Sequence, residues 1–373
     1  PVGQQQRVEI LKALYRDAKL LILDEPTAVL APQEVEELFS AIRSLTAQGR
    51  TVLFIAHKLP EVIEISNTIS VMRAGQMVGR VDKKDATEAG LARMMVGRDV
   101  ALKVTRAKPG DHPHLCRISG LTIKNDRGLD AISGMDIVLR AGEIVGIAAV
   151  EGNGQSELFE AIGGLRPVEA GSVELNGVDI VAVPVDQRRD AGLAHIPEDR
   201  IATGSAGGAS VAENIVATEL ENERFVRHGL LDLGAIRKHA VELIERFSVR
   251  VSGPDAAIGT LSGGNMQKVV VARELSSDPK LLLVSHPTRG VDLGATEFIW
   301  QRIALARDAG SAVFLTSADL SELLSLSDRM IVLYRGRIVA AFSNTTELTP
   351  EMLGSYMLGF AEQPVHERQA ALA

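Results

Sequence analysis

A chain of 373 residues, 46% of them hydrophobic, has material for two domains with cores of their own. No run of about 18 apolar residues is present and no basic start leads into an apolar segment, so neither a spanning helix nor a secretory leader is predicted, and a soluble cytoplasmic protein is the expectation. A formal net charge of −8 with both signs interspersed argues against a broad nucleic-acid-binding face, and 3% aromatic residues argue against platforms for stacking single-stranded bases.

In chain order, Gln4 to Tyr15 has a helical pattern. The apolar run Leu20 to Leu23 is too short for a helix and reads as a buried parallel strand. Asp24 and Glu25 leave this strand side by side. Two carboxylates at such a place are costly unless paired or metal-bound, so they are candidates for a Mg²⁺ and water site, with Asp24 on the metal side. A helix from Pro32 to Ala47 follows, with proline at its start and Gly49 past its end. "TVLFIAH" is the next buried strand and ends on His57. A lone histidine is usually structural, but this one sits at the tip of the strand adjacent to the two carboxylates.

"TRAKPGDHPHL", Thr105 to Leu115, has the Pro, Gly and polar content of a linker, and a domain boundary is placed there. The single cysteine, Cys116, cannot form an internal disulfide and reads as buried filler rather than as a reactive thiol. "HLCRISGLTI" and "AGEIVGIAAV" read as strands. The second leads into "AVEGNGQSEL", Ala149 to Leu158, a glycine turn between strand and helix, which is the setting of a phosphate-binding loop. Such a loop holds phosphate with backbone N–H groups and a helix N-terminus, and normally adds a lysine. Against G-x-x-x-x-G-K-[ST], the first glycine is Ala149, Gly152 and Gly154 stand in the loop, the lysine is Gln155, and Ser156 keeps the Mg²⁺ hydroxyl. Glu157 adds negative charge in the first helical turn. "ATGSAGGAS", Ala202 to Ser210, reads as a surface loop.

"LSGGNMQK", Leu261 to Lys268, opens a helix. Ser262 suits an N-cap, Gly263 and Gly264 let backbone amides approach a ligand, and Gln267 lies in the first turns, so this is a second anion site. Strand Leu281 to Val284, helix Ala295 to Asp308 and strand "AVFLTSA" complete the pattern. Helices and strands alternate, which predicts an α/β fold with a mainly parallel sheet.

The chain also repeats itself at a spacing of 261 residues: Gly3 with Gly264, Gln6 with Gln267, Leu20 with Leu281, Pro26 with Pro287, Thr27 with Thr288 and Gly75 with Gly336. In that register Asp24 faces Ser285, Glu25 faces His286 and His57 faces Ala318. The second copy uses roughly 147 residues between Leu115 and Ser262, the partner of Pro1, and the first copy has no counterpart of them, so an incomplete first domain is expected. The expected boundaries are 1–104 for the first domain, 105–114 for the linker, 115–361 for the second domain and 362–373 for a tail.

On these residues the chain resembles the nucleotide-binding subunits of ATP-binding-cassette (ABC) transporters over about Pro1 to Phe360. The resemblance implies tandem P-loop NTPase domains with an antiparallel β subdomain in the second. It implies that "LSGGN" is the signature that contacts the γ-phosphate of ATP held by the opposite half. It implies that Asp24 holds Mg²⁺ through water, that Glu25 orients the attacking water, and that His57 is the switch histidine. The fused halves, with "GNGQSEL", "IPEDR" and "PTRGVD", look like importers of the simple-sugar and nucleoside class, and "DEPTAVLAPQE" inclines toward the nucleoside branch.

In the second copy each hydrolytic position is altered, to Gln155, Ser285, His286, Ala318 and, at the glutamine-loop position, Glu198. The expectation is one competent site in a full-length parent, joining Asp24, Glu25 and His57 and the first half's phosphate loop to Ser262, Gly263 and Gly264, with Gln267 also counted among the nucleotide-binding residues. The other pairs the altered loop Gly152, Gly154, Gln155 and Ser156 with a first-copy signature whose remnant is "PVGQ". A zinc or base role for His286 is disfavoured, since no second ligand stands at suitable spacing. The resemblance implies ATP and Mg²⁺ as cofactors, integral-membrane permease subunits and a substrate-binding protein as partners, no nucleic acid, and peripheral placement on the cytoplasmic face of the membrane. The rivals are a non-hydrolysing truncated remnant, and a soluble tandem ABC protein acting on ribosomes or DNA, which would show a long charged insert and two competent sites.

Overall fold

The computed structural model describes residues 12, 18–27, 30, 32–56, 58–73, 75–99, 113–227, 229–345 and 347–372. The expectations for the helix Gln4 to Tyr15, for "PVGQ", for His57 and for most of the linker lie outside them.

The first half runs β1 (Leu20–Asp24), α1 (Pro32–Ala47), β2 (Thr51–Ile55), α2 (Leu59–Ile65), β3 (Thr68–Arg73), β4 (Gln76–Asp82) and α3 (Glu88–Val96). β1 and β2 pair in parallel, and β3 and β4 form an antiparallel hairpin.

The second half opens with β5 (His114–Lys124), β6 (Asp130–Arg140) and β7 (Ile144–Ala148), followed by α4 (Gln155–Gly163), β8 (Ala170–Leu175), β9 (Val178–Asp179), α5 (Val185–Asp190) and β10 (Leu193–Ile196). Then come α6 (Val211–Val216), the small hairpin β11 (Val226–Arg227) and β12 (Leu230–Leu231), α7 (Leu233–Arg246) and α8 (Gly263–Ser276). The chain closes with β13 (Leu281–Ser285), α9 (Leu293–Asp308), β14 (Ala312–Thr316), α10 (Leu320–Leu326), β15 (Arg329–Tyr334), β16 (Arg337–Ser343), α11 (Pro350–Met357) and α12 (Val365–Leu372).

The main sheet has the order β10-β13-β14-β7-β15-β16, parallel except for the last pair, and a four-stranded antiparallel sheet, β6-β5-β8-β9, lies beside it. Strand β6 carries no signal of its own in the sequence reading. β7, β13 and β14 are buried along their whole length, as strands covered on both faces must be. Cys116 is 1% exposed, and burial pushes its thiol up to about 12, which leaves it inert. The segment from 362 on, expected as a tail, carries α12, which packs on β16 and β6.

The repeat is visible atom by atom. Leu20 faces Thr51 across the first strand pair, and Leu281 faces Ala312 across the second, each 261 positions on. Both hairpins slip register at the same place, between Val71 and Met72 and between Val332 and Leu333. The Thr27 hydroxyl donates to Glu61, and that of Thr288 to Glu322.

One difference stands out. Leu20, Ile22, Leu53 and Ile55 are 54%, 58%, 52% and 44% exposed, whereas their counterparts Leu281, Leu283 and Phe314 are fully buried and Thr316 is nearly so. In the second half that face is covered by Leu158, Phe159 and Ile162 of the helix after the phosphate loop. Among the described residues the first half has no such helix.

The halves exchange contacts in a pseudo-two-fold manner. α3 packs on α9, and α11, its repeat counterpart, packs on α1. Leu293 joins a cluster with Leu59, Val62 and Leu91, and Arg98 pairs with the buried Glu297 at 2.6 Å.

Candidate nucleotide site

The loop between β7 and α4 is built around two glycines with positive φ, Gly152 at 87° and Gly154 at 105°. A Cβ on Gly154 would stand 2.2 Å from the Ala131 carbonyl oxygen, so only glycine fits. Asn153 stitches the loop: its amide donates to the Val150 carbonyl at 2.8 Å, and its side-chain oxygen accepts from the Arg335 N–H at 2.7 Å. Gln155, in the lysine position, is 3% exposed, and its amide donates to the Val150 carbonyl at 3.3 Å while its Oε1 is buried without a partner among the described residues. A lysine would reach out to a phosphate, whereas this side chain turns back into its own loop. Ser156 is exposed at the helix start, and Glu157 is half-buried beside it.

Past β13 the chain turns through His286, at φ 45°, as the first half turns through Glu25, at φ 46°. Each backbone N–H donates to the neighbouring strand at 2.8 Å, His286 to Thr316 and Glu25 to Ile55. Asp24 closes β1 opposite Ile55. The His286 ring is 7% exposed, its Nδ1 accepts from the Ala318 N–H at 3.1 Å, and burial pushes its pKa down, so the ring is neutral with its proton on Nε2.

Arg289 forms an ion pair with Glu198, at the glutamine-loop position, and reaches Glu151 of the phosphate loop at 4.0 Å. Glu151 is held above the usual carboxylate range by burial, against the pull of Arg289. Arg200 donates to the carbonyls of Arg289 at 2.6 Å and Gly290 at 3.2 Å, and a Cβ on Gly263 would meet its guanidinium at 2.8 Å. Gly264 is tight but less so, with the Ala295 Cβ 3.1 Å from its own Cβ position. Ser262 flanks α8 and accepts from the Asn265 amide at 2.9 Å instead of capping the helix. Gln267 is 2% exposed on the buried face of α8, away from the exposed rim formed by Ser262.

Glu25 and Lys58 line one small cleft with Glu151, His286, Arg289 and Asp319. Glu25 with His286, and Lys58 with Asp319, are repeat counterparts, so the cleft straddles the pseudo-two-fold. Ser262 to Gly264 are not in its lining; they meet the Arg200–Gly290 side instead. Sequence reading missed Arg200, Arg289, Lys58 and Asp319. The opposite charges of Lys58 and Asp319 in the repeat register are the signal that could have found the last two.

The donor set decides where Mg²⁺ and phosphate fit. Asp24 and Glu25 supply the hard oxygen ligands that a hydrated Mg²⁺ takes. The second half offers Ser285 and His286 at the same place, and its phosphate loop combines a neutral Gln155 with Glu151, so it lacks both the carboxylate pair and the lysine charge.

The sequence profile described as ABC transporter matches residues 2–28 and 132–289. A glucose import ATP-binding protein, TsgD13, from Haloferax volcanii is 47% identical over 94% of this chain and 63% of its own length. A nucleoside import ATP-binding protein, NupA, from Lactococcus lactis is 43% identical over 96% of this chain and 71% of its own, and a guanosine import ATP-binding protein, NupO, from Bacillus subtilis is 41% identical over 97% and 71%. The chain thus spans about two-thirds of the length of these curated relatives. Among solved structures, a nucleotide-free ATP-binding cassette from an ABC transporter overlaps 63% of this chain and 93% of its own with a TM-score of 0.53 at 21% identity. The ADP- and phosphate-bound cassette MJ0796 overlaps 62% and 99% with a TM-score of 0.54 at 20% identity. At such identities these two show a common fold.

Proposed function

Because this chain belongs to the ABC transporter ATP-binding family, we propose that it is the ATP-binding, energy-coupling subunit of an importer for simple sugars or nucleosides, with one hydrolytic site in the complete protein. The observation that carries this reading is the asymmetry of two superimposable strand ends: Asp24 and Glu25 in the first half, Ser285 and His286 in the second, with the same turn and the same backbone hydrogen bond.

In this reading Asp24 and Glu25 hold Mg²⁺ and the attacking water, and His57 contacts the γ-phosphate. The ion supplies charge neutralisation for phosphoryl transfer to water. Ser262, Gly263 and Gly264 close the same site from the other half. Gln267, buried in α8, supports that helix rather than the nucleotide. The second-half loop, with Gly152, Gly154, Gln155 and Ser156, plays a structural part. Membrane permease subunits and a substrate-binding protein are the partners, the placement is peripheral on the cytoplasmic face, and the transported compound is selected by those partners. The domains are those of the sequence reading, 1–104 and 115–361, with the addition of α12 to the second.

The exposed face of β1 and β2 supports a further statement: this chain by itself turns over little ATP, since the element that covers the same face in the second half is the one that carries the phosphate loop. The test is photo-crosslinking of an ATP analogue with Mg²⁺ to this chain and to one carrying an upstream first-half segment. Labelling that needs the segment and weakens with Asp24→Asn supports the reading. Equal labelling of both, insensitive to Asp24→Asn, contradicts it.

A further inference from the structure

The antiparallel sheet and the main sheet each end on an edge strand, β6 in one and β16 in the other, and these edges approach each other. α12 roofs the gap. Its placement is fixed at both ends: Gln363 pairs with the β16 edge through its N–H to Val339 at 3.0 Å and its side-chain oxygen from the Ala341 N–H at 2.8 Å, and the buried Arg329 donates to the Ala371 carbonyl at 2.7 Å. Beneath the roof is a groove of about 480 Å³, the size of a small-molecule site.

Its walls have two characters. Two apolar side chains of α12, Val365 and Leu372, give a surface for a hydrocarbon or aromatic body, while Ile118 and Met135 turn into the core and border the groove only through their backbone. Three guanidinium groups, Arg117, Arg337 and Arg368, stand around it, from three separate elements. Asp136 is the only carboxylate of the lining among the described residues, and its Oδ1 already accepts from the Gly120 N–H at 2.8 Å. Arg368 pairs with Glu362 at 2.8 Å, whereas Arg117 donates only to the His114 ring at 3.2 Å, which brings no negative charge, so Arg117 and Arg337 carry the positive charge of the groove. None of these residues belongs to the phosphate loop, the strand ends or the signature helix.

We infer that this groove binds a small organic anion, a carboxylate or phosphate ester with an apolar body, and that the arginines supply the recognition of its charge. The fork of a guanidinium fits a carboxylate or phosphate in two-point contact, and the apolar side chains of the roof reward the body of the ligand. A ligand here would clamp α12 to both sheet edges, and so join the antiparallel subdomain to the main sheet.

The test uses the whole chain with anilinonaphthalene sulfonate, an apolar anion, as probe. Fluorescence titrations are run in a background of Ile22→Ser and Leu53→Ser, which removes the exposed β1–β2 face as a competing site. The expected result is one saturable site, weakened about tenfold by Arg337→Glu, as loss of a charge-assisted contact entails. Leu372→Trp, which fills the groove without touching the charge, is expected to abolish binding, and inorganic phosphate to weaken it. Thermal unfolding checks each variant for folding, and saturating probe raises the midpoint only where the site is intact. Probe binding that is equal in parent, Arg337→Glu and Leu372→Trp overturns the inference, as does the absence of a saturable phase.

Discussion

The imidazole of His286 accepts a hydrogen bond from the backbone N–H of Ala318 at 3.1 Å, and these two residues occupy the repeat positions of Glu25 and His57. The pair that would orient water and contact phosphate in the first half has become, in the second, a link between two buried strand ends. Reverting one member therefore restores no chemistry. His286→Glu would place a carboxylate in a buried spot near Glu198 and strip Ala318 of its acceptor. A stability loss of about 1–3 kcal/mol in urea unfolding is expected, with no gain in ATP turnover.

The phosphate loop of the second half is a packed element. Gly154→Ala meets the Ala131 carbonyl and a φ of 105°, and a destabilisation of about 2 kcal/mol or more is expected from denaturant midpoints. Gln155→Lys removes the internal bond to Val150 and leaves Glu151 in place, so nucleotide binding measured by calorimetry is expected to stay absent in the second half.

Strand pairs with the same sequence pattern differ in what they cost to alter. Leu283→Ser and Phe314→Ser open the main core and are expected to lose about 3 kcal/mol or more each. Ile22→Ser and Leu53→Ser, at the counterpart positions, are expected to leave stability almost unchanged and to reduce self-association seen by light scattering, because this apolar face is uncovered.

The fully buried Glu322 accepts from the Trp300 indole N–H at 2.7 Å and the Thr288 hydroxyl at 2.8 Å, and burial pushes its pKa up to about 7 from the ordinary 4.5. Between those values the folded chain keeps a proton that the unfolded chain has released, so stability falls as pH rises from 4.5 to about 7 and levels off above. The full drop is about 3 kcal/mol from this group. Unfolding at a series of pH values should show that slope in the parent and lose it in Glu322→Gln, which keeps an oxygen for both donors.

Much of this architecture was legible in the sequence because the repeat doubles each signal. The helix Pro32–Ala47 was read to its ends from a proline start and a glycine stop, and strands β1, β13 and β14 from short apolar runs. β6 was missed: its alternation is broken by Ser133 and Gly134, which lie on an edge strand where polar residues are tolerated. The site is a different matter. Motif spacing marks Gln155 as a lost lysine, but nothing in the sequence says that the amide folds back onto Val150. The convergence of Glu198, Arg200, Arg289 and Gly263 joins segments far apart in the chain, and pairing at such separation leaves no local pattern. Likewise, Arg98 and Glu297 meet across the two halves, in a contact that has no counterpart at the repeat positions Gly359 and Glu36.

The central claim is that hydrolysis depends on the strand end Asp24–Glu25 and not on Ser285–His286. Steady-state ATP turnover tests it most directly, measured for this chain and for one extended at its start by a first-half segment with a phosphate loop, each with Glu25→Gln and with His286→Ala. The account predicts turnover in the extended chain alone, reduced about a hundredfold or more by Glu25→Gln and left almost intact by His286→Ala. Turnover by either chain that survives Glu25→Gln and disappears with His286→Ala would contradict it.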